Sequence, residues 1–91
     1  MKKIKDILKE YLKNFKDKES MLFFTTDNIF NTLKAENQEL NELEVIELYQ
    51  QLKILYRIRA INYLGQKDGL NLYQINNFNA LMDYLNDGNN V

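Results

Sequence analysis

Between Lys53 and Lys67 the chain carries four bases, Lys53, Arg57, Arg59 and Lys67, and no acid. Tyr56, Asn62, Tyr63 and Gln66 are interleaved with them. Cationic side chains neutralise phosphates and tyrosine rings stack on unpaired bases, so this composition suits a nucleic acid, single-stranded DNA in particular. Lys53, Arg57, Arg59 and Lys67 would then be phosphate contacts, with Tyr63 as a stacking platform. The same residues also describe a solvated strand whose arginines pair with nearby glutamates and whose tyrosines belong to the core.

The preceding stretch has the opposite sign. From Ser20 to Leu52 there are six carboxylates and one lysine, Lys34. Glu36, Glu39, Glu42, Glu44 and Glu47 suit docking on a basic protein surface, even one that normally holds nucleic acid. Glu42, Glu44, Glu47 and Gln51 are the residues expected to touch such a partner. The plainer alternative is a set of solvated glutamates favoured by the dipole at a helix start. A third charged surface lies near the N-terminus, where Lys2, Lys3, Lys5, Lys9, Lys13 and Lys16 are offset by Asp6, Glu10 and Asp17. It suits phosphates or an acidic partner. It equally suits a soluble helix face held by the pairs Lys2–Asp6, Asp6–Lys9, Glu10–Lys13 and Lys13–Asp17.

Histidine and cysteine are both absent. That removes the commonest general acid and base, the commonest metal ligand, thiolate sites and disulfides. Carboxylates remain, but a catalytic pair needs a pocket, and no loop has the oxygen-ligand spacing of a calcium site. The expectation is a non-enzymatic chain with no metal and no cofactor. Its 91 residues, of net charge −1, suit one domain over 1–91 with a frayed tail from about 87. No apolar run approaches the roughly 20 residues of a membrane span, and Lys9, Glu10 and Lys13 interrupt any signal-peptide core. The expected setting is therefore the cytoplasm, without a membrane partner.

The elements that must position these groups follow from hydrophobic period. Ile4, Ile7, Leu8, Tyr11, Leu12 and Phe15 recur at helical spacing and predict a helix over about 3–17. Met21 to Phe24 is a short apolar run that reads as a small strand. Thr25 or Thr26 then supplies an N-cap for a helix over about 26–35, with Ile29, Phe30 and Leu33 inward. Asn41 and Glu44 fit a capping box opening a third helix over about 42–56. Val45, Leu48, Tyr49, Leu52, Leu55 and Tyr56 form its expected core stripe, leaving Glu44, Glu47, Gln50 and Gln51 outward. Ile58 to Leu64 changes to a two-residue rhythm, as does Leu70 to Ile75. The turn between them, Gly65 to Gly69, contains the hairpin signal Asp68-Gly69. The stripe of the third helix can also be continued through Arg59 to Tyr63, which would make a helical bundle instead. A last helix over about 77–86 is capped by Asn76 or Asn77 and buries Phe78, Leu81, Met82 and Leu85. Phe15, Phe23, Phe24, Phe30 and Phe78 are expected in the core, with one of Phe23 and Phe24 exposed if they alternate across a strand.

Helix, strand, two helices, hairpin, helix is the order α-β-α-α-β-β-α, and it resembles a winged helix-turn-helix domain, an α+β fold. The resemblance rests on the order and length of elements and spans nearly the whole chain. It implies a recognition helix at about 42–56 and a wing tip at Gln66, Lys67 and Asp68. In that family the third helix usually enters the DNA major groove. Here that helix begins with Glu42, Glu44 and Glu47, and glutamates near phosphates oppose binding. Two functions follow as expectations: a small nucleic-acid-binding accessory protein that uses the wing and the end of the third helix, or a protein-interaction module (an adaptor, subunit or inhibitor of a nucleic-acid-handling machine) that uses the acidic third helix.

Overall fold

The computed structural model describes residues 4–13 and 23–87. Expectations for Lys2, Lys3, Phe15, Lys16, Asp17, Met21 and Leu22, and for the tail beyond Asp87, lie outside those residues. The described chain is α+β, with four helices and a three-stranded antiparallel sheet. Its elements are α1 (Ile4–Leu12), β1 (Phe23–Thr25), α2 (Thr26–Ala35), α3 (Glu42–Arg57), β2 (Ile61–Lys67), β3 (Leu70–Ile75) and α4 (Phe78–Asp87).

Both central helices open on reciprocal caps. Thr25 Oγ1 accepts from the Asn28 N–H at 3.2 Å, and the Thr25 N–H donates to Asn28 Oδ1 at 2.9 Å. For α3, Asn41 Oδ1 accepts from the Glu44 N–H at 2.8 Å, and the Asn41 N–H donates to Glu44 Oε1 at 3.0 Å. Each box satisfies donors that the first helical turn leaves without partners.

The ends of α2 and α3 also share one device. The Arg59 N–H donates to Tyr56 O and the Ala60 N–H to Leu55 O, each at 3.0 Å. The Asn37 and Gln38 N–H groups do the same to Lys34 O and Leu33 O at the end of α2. This is the Schellman pattern, and it needs a left-handed residue after the cap. Asn37 (φ 59°) and Arg59 (φ 63°) fill that position. At α3 the two positions that such a motif brings into apolar contact, Ala60 and Leu55, are both buried in the core.

The chain therefore turns at Ile58–Ala60, and the strand starts later than its alternation suggests. Ile58 and Arg59 belong to the end of α3, not to a strand over 58–64. Ile61–Lys67 is extended, so α3 does not continue into a bundle helix. The turn is also shorter than Gly65–Gly69. Only Asp68 (φ 54°) and Gly69 (φ 80°) reverse the chain, with the positive φ at both central residues that a type I′ turn requires. Gly65 (φ 91°) sits inside β2, where the pairing shifts register between Tyr63 and Gln66. Such a bulge is a regular use of a strand glycine.

The sheet order is β1-β3-β2. Phe24 and Tyr63 both pair with Tyr73, and Ile61 pairs with Ile75, so these residues share the face packed on the helices. Phe23 pairs with Gln74 on the other face. Of the phenylalanines expected inside, Phe24 is buried, while Phe23, Phe30 and Phe78 are half-buried. The remaining core is aliphatic: Ile4, Leu8 and Leu12 from α1, Ile29 and Leu33 from α2, Leu48, Leu52 and Leu55 from α3, Leu81 and Leu85 from α4. Among the described residues no helix is long and apolar enough to cross a membrane.

Candidate interaction surface

Buried Leu48, Leu52 and Leu55 define the inner side of α3. At 3.6 residues per turn, the opposite side carries Leu43, Ile46, Gln50, Lys53 and Arg57. Leu43 is 79% exposed and Ile46 53%. Tyr49 and Tyr56 were expected in the core stripe, but they are 39% and 50% exposed. They fall on the flank between the inner and outer sides, where the hairpin stands. Two i,i+3 steps join Leu43 to Ile46 and Ile46 to Tyr49, so these side chains are neighbours on the helix surface.

From Tyr49 onward the exposed strip merges with a groove between α3 and the hairpin. Tyr49, Leu52, Lys53, Tyr56, Tyr63, Asn71 and Tyr73 line it around a hollow of about 220 Å³. Its floor is held by ring packing. Tyr73 stacks on Phe24 at 5.4 Å between centroids and meets Tyr63 at 5.6 Å. The Tyr63 hydroxyl donates to Asn71 Oδ1 at 3.0 Å, which fixes the ring across the strand pair. Burial pushes the Tyr73 phenol up from its ordinary value of 10.0, and the neighbouring Tyr49 and Tyr63 act in the same direction.

A second hollow adjoins the first across Tyr56. Arg57, Arg59, Asn62 and Asn76 complete its walls. Asn76 braces the backbone there, donating from Nδ2 to Arg59 O at 2.9 Å, while its N–H donates to Ala60 O. Among the described residues neither arginine has a carboxylate within ion-pair distance, so the pairing with glutamates expected for a solvated strand is not made. The structure thus brings Lys53 and Tyr63 to the groove and Arg57 and Arg59 to the neighbouring hollow. Lys67, at the end of β2 beside the turn, lines neither.

The acidic residues separate in the same way. Glu42 and Glu47 are exposed on α3. Glu44 is half-buried, with its carboxylate used in the capping box. Gln51, expected on the outward face, accepts a 2.7 Å hydrogen bond from the Tyr84 hydroxyl and ties α3 to α4. In the lysine row, Lys13 pairs with Glu10 at 3.2 Å, and the Lys5 ammonium lies 4.0 Å from the centre of the Tyr84 ring. Lys5 is therefore engaged in packing as well as solvated. Among the described residues no group of three or more His, Cys, Asp or Glu side chains could hold a metal ion.

Leu43, Ile46 and the exposure of Tyr49 and Tyr56 were missed by sequence reasoning. Leu43 and Ile46 lie off the Leu48, Leu52, Leu55 stripe, so their position was readable from helical spacing alone. No family model, curated protein or solved structure matches this chain.

Proposed function

We propose that this chain is a protein-interaction module on a winged-helix frame, and that it docks through the outer face of α3 and the adjoining groove. The observation that carries the proposal is the exposure of Leu43 and Ile46 at 79% and 53% on one side of α3, continuous with Tyr49, Tyr56 and Tyr63. Apolar residues scattered singly on a surface are ordinary, whereas a contiguous patch marks a contact site. Tyrosine and arginine are enriched in interface centres, and the patch has Tyr49, Tyr56 and Tyr63 beside Arg57. Burying these rings and aliphatic groups stabilises a complex by roughly 25 cal/mol per Å² before ordering costs. The winged-helix frame is supported by the element order and by the β1-β3-β2 sheet. In that frame α3 holds the recognition position, and its first turns offer Leu43, Ile46 and glutamates where a duplex reader would offer cations and amides. The module acts as an adaptor, subunit or inhibitor in the cytoplasm, without catalysis.

One observation favours a second function, nucleic-acid binding at the wing side. Arg59 holds φ 63°, a conformation in which glycine would carry no strain. A non-glycine residue kept there is a reason to look for work by its side chain. Arg57 and Arg59 around one hollow, with Lys53 and Tyr63 in the next, suit a single strand.

Fluorescence anisotropy with labelled single- and double-stranded oligonucleotides, together with affinity capture, separates the two. Docking through α3 predicts partners captured by the wild-type chain and lost with Leu43→Glu/Ile46→Glu, and unaffected by Arg59→Ala. Binding of oligonucleotides that weakens steeply with salt, falls with Arg57→Ala/Arg59→Ala and ignores Leu43→Glu would overturn the interaction module in favour of the second function.

A further inference from the structure

We infer that the protein covering this face is a second copy of the same chain, with the two α3 helices antiparallel about a two-fold axis passing between Tyr49 and Gln50. The inference rests on the protein-interaction reading and adds the identity of the partner. Its basis is the order of charge and apolarity along α3. The helix begins with Glu42 and ends with Arg57. At 3.6 residues per turn, Glu42, Ile46, Lys53 and Arg57 lie along one flank of the outer face, and Leu43, Glu47, Ile54 and Ile58 along the other.

A two-fold axis perpendicular to the helices sets each flank against the same flank of the second copy in reverse order. Glu42 then faces Arg57 of the other copy, Ile46 faces the aliphatic stem of its Lys53, and Leu43 falls midway between its Ile54 and Ile58. Every contact is made twice, as an isologous interface requires. Lysine and arginine stems cover apolar side chains while their charges reach water, so Ile46 is sheltered without burying a lone charge, and Leu43 is sheltered by isoleucine. A parallel arrangement would instead set Glu42 on Glu42 and Arg57 on Arg57. Antiparallel helices also oppose their dipoles favourably. The 16-residue helix is about 24 Å long and, with the flanking tyrosines, offers an interface at the lower end of the size range for specific complexes. The expected dimer is accordingly in the range of about 1–100 µM.

The chain has no cysteine, so an introduced one reports its own neighbours. Gln50→Cys lies beside the axis and should form a disulfide-linked dimer on mild oxidation, because self-paired positions there approach to within the roughly 4.4–6.8 Å between Cα atoms that the bond needs. Asn31→Cys, on the exposed side of α2, should form no disulfide-linked dimer at the same concentration, while still associating non-covalently through α3. Sedimentation equilibrium supplies the second readout, with circular dichroism verifying each fold. Glu42→Arg and Arg57→Glu should each weaken the dimer about tenfold, and the two together should restore it to within about threefold. Leu43→Glu/Ile46→Glu should weaken it about a hundredfold.

A wild-type chain monomeric at about 1 mM, far above the expected dissociation constant, overturns the second copy. So does equal crosslinking of Gln50→Cys and Asn31→Cys. Peptides selected from a displayed random library against the wild-type chain separate that failure from failure of the docking face. Selected binders lost with Leu43→Glu would leave the face standing with a foreign partner. A monomeric chain with no such binders, or a dimer indifferent to Leu43→Glu/Ile46→Glu, overturns both.

Discussion

Leu43 and Leu52 sit on one helix and differ in what surrounds them, so truncating each to alanine measures whether the outer face of α3 belongs to the fold. Leu52 is 1% exposed and packs in the central cluster. Leu52→Ala removes buried methyl groups and leaves a cavity, a change that costs about 2–5 kcal/mol. A chain of 91 residues has a total stability of roughly 5–14 kcal/mol, so a loss near 3 kcal/mol is a large share of it. For a domain this size that loss lowers Tm by about 12–24 °C. Leu43 is 79% exposed, so only about a fifth of its surface is sheltered. Full burial of a leucine is worth about 1.5–3 kcal/mol, which leaves roughly 0.3–0.6 kcal/mol for Leu43. The better helix propensity of alanine offsets part of it, by about 0.2 kcal/mol. Leu43→Ala should therefore shift Tm by less than about 3 °C. The assay is thermal unfolding followed by circular dichroism, over a range of protein concentration and extrapolated to dilution. Dilution matters because a complex that uses Leu43 raises apparent stability by mass action. A loss for Leu43→Ala of the same size as for Leu52→Ala at the dilute limit would refute the reasoning, since Leu43 would then be packed within the monomer.

Other outcomes follow from single contacts. Asn41→Ala removes the cap at the start of α3 and should cost about 1 kcal/mol, read by urea denaturation. Tyr84→Phe leaves Gln51 without its hydroxyl donor and should cost about 1 kcal/mol, with the Lys5 contact to the ring retained. Arg59→Gly relieves the left-handed strain at the end of α3 and should raise stability by about 1 kcal/mol, while weakening any oligonucleotide binding. The Tyr73 phenol is held above 10.0 in the folded state by burial first and by Tyr49 and Tyr63 second. In the unfolded state it ionises near 10, so its contribution is fully present below that pH and is lost as pH rises toward the folded value. Stability measured by urea at about pH 9 and about pH 11 should fall across that interval, with a smaller fall for Tyr73→Phe.

The parts of the fold legible in the sequence were those whose signal is local. A threonine cap at Thr25 or Thr26 marks the start of α2, Asn41 with Glu44 three residues on marks the start of α3, and Asp68-Gly69 marks a reversal by conformational freedom; the reciprocal partner Asn28 of the α2 cap was not read from the sequence. The end of α3 was not legible, because arginine fills a left-handed position where glycine is the usual sign. That hid the turn at Ile58–Ala60 and set the alternation of β2 out of phase. The bulge at Gly65 disturbed it again, since a strand glycine and a turn glycine look alike in sequence. For the site, charge marks Lys53, Arg57 and Arg59 as surface residues, whereas Leu43 and Ile46 carry no charge and are distinguished only by lying off the Leu48, Leu52, Leu55 stripe. Tyr49 and Tyr56 are at helical spacing with Leu52 and Leu55, and only the position of the hairpin decides that their rings border a groove.

In the proposed mode of action, another protein sits on the outer face of α3. Amide proton–nitrogen spectra of the labelled chain, recorded as its own concentration is raised and then as a single-stranded oligonucleotide is added at physiological salt, address that directly. The predicted result is a concentration-dependent shift confined to Leu43, Ile46, Gln50, Lys53, Arg57 and their neighbours, with little response to the oligonucleotide. No shift on that face with concentration, and oligonucleotide-dependent shifts centred on Arg57, Arg59, Asn62 and Tyr63, would contradict it.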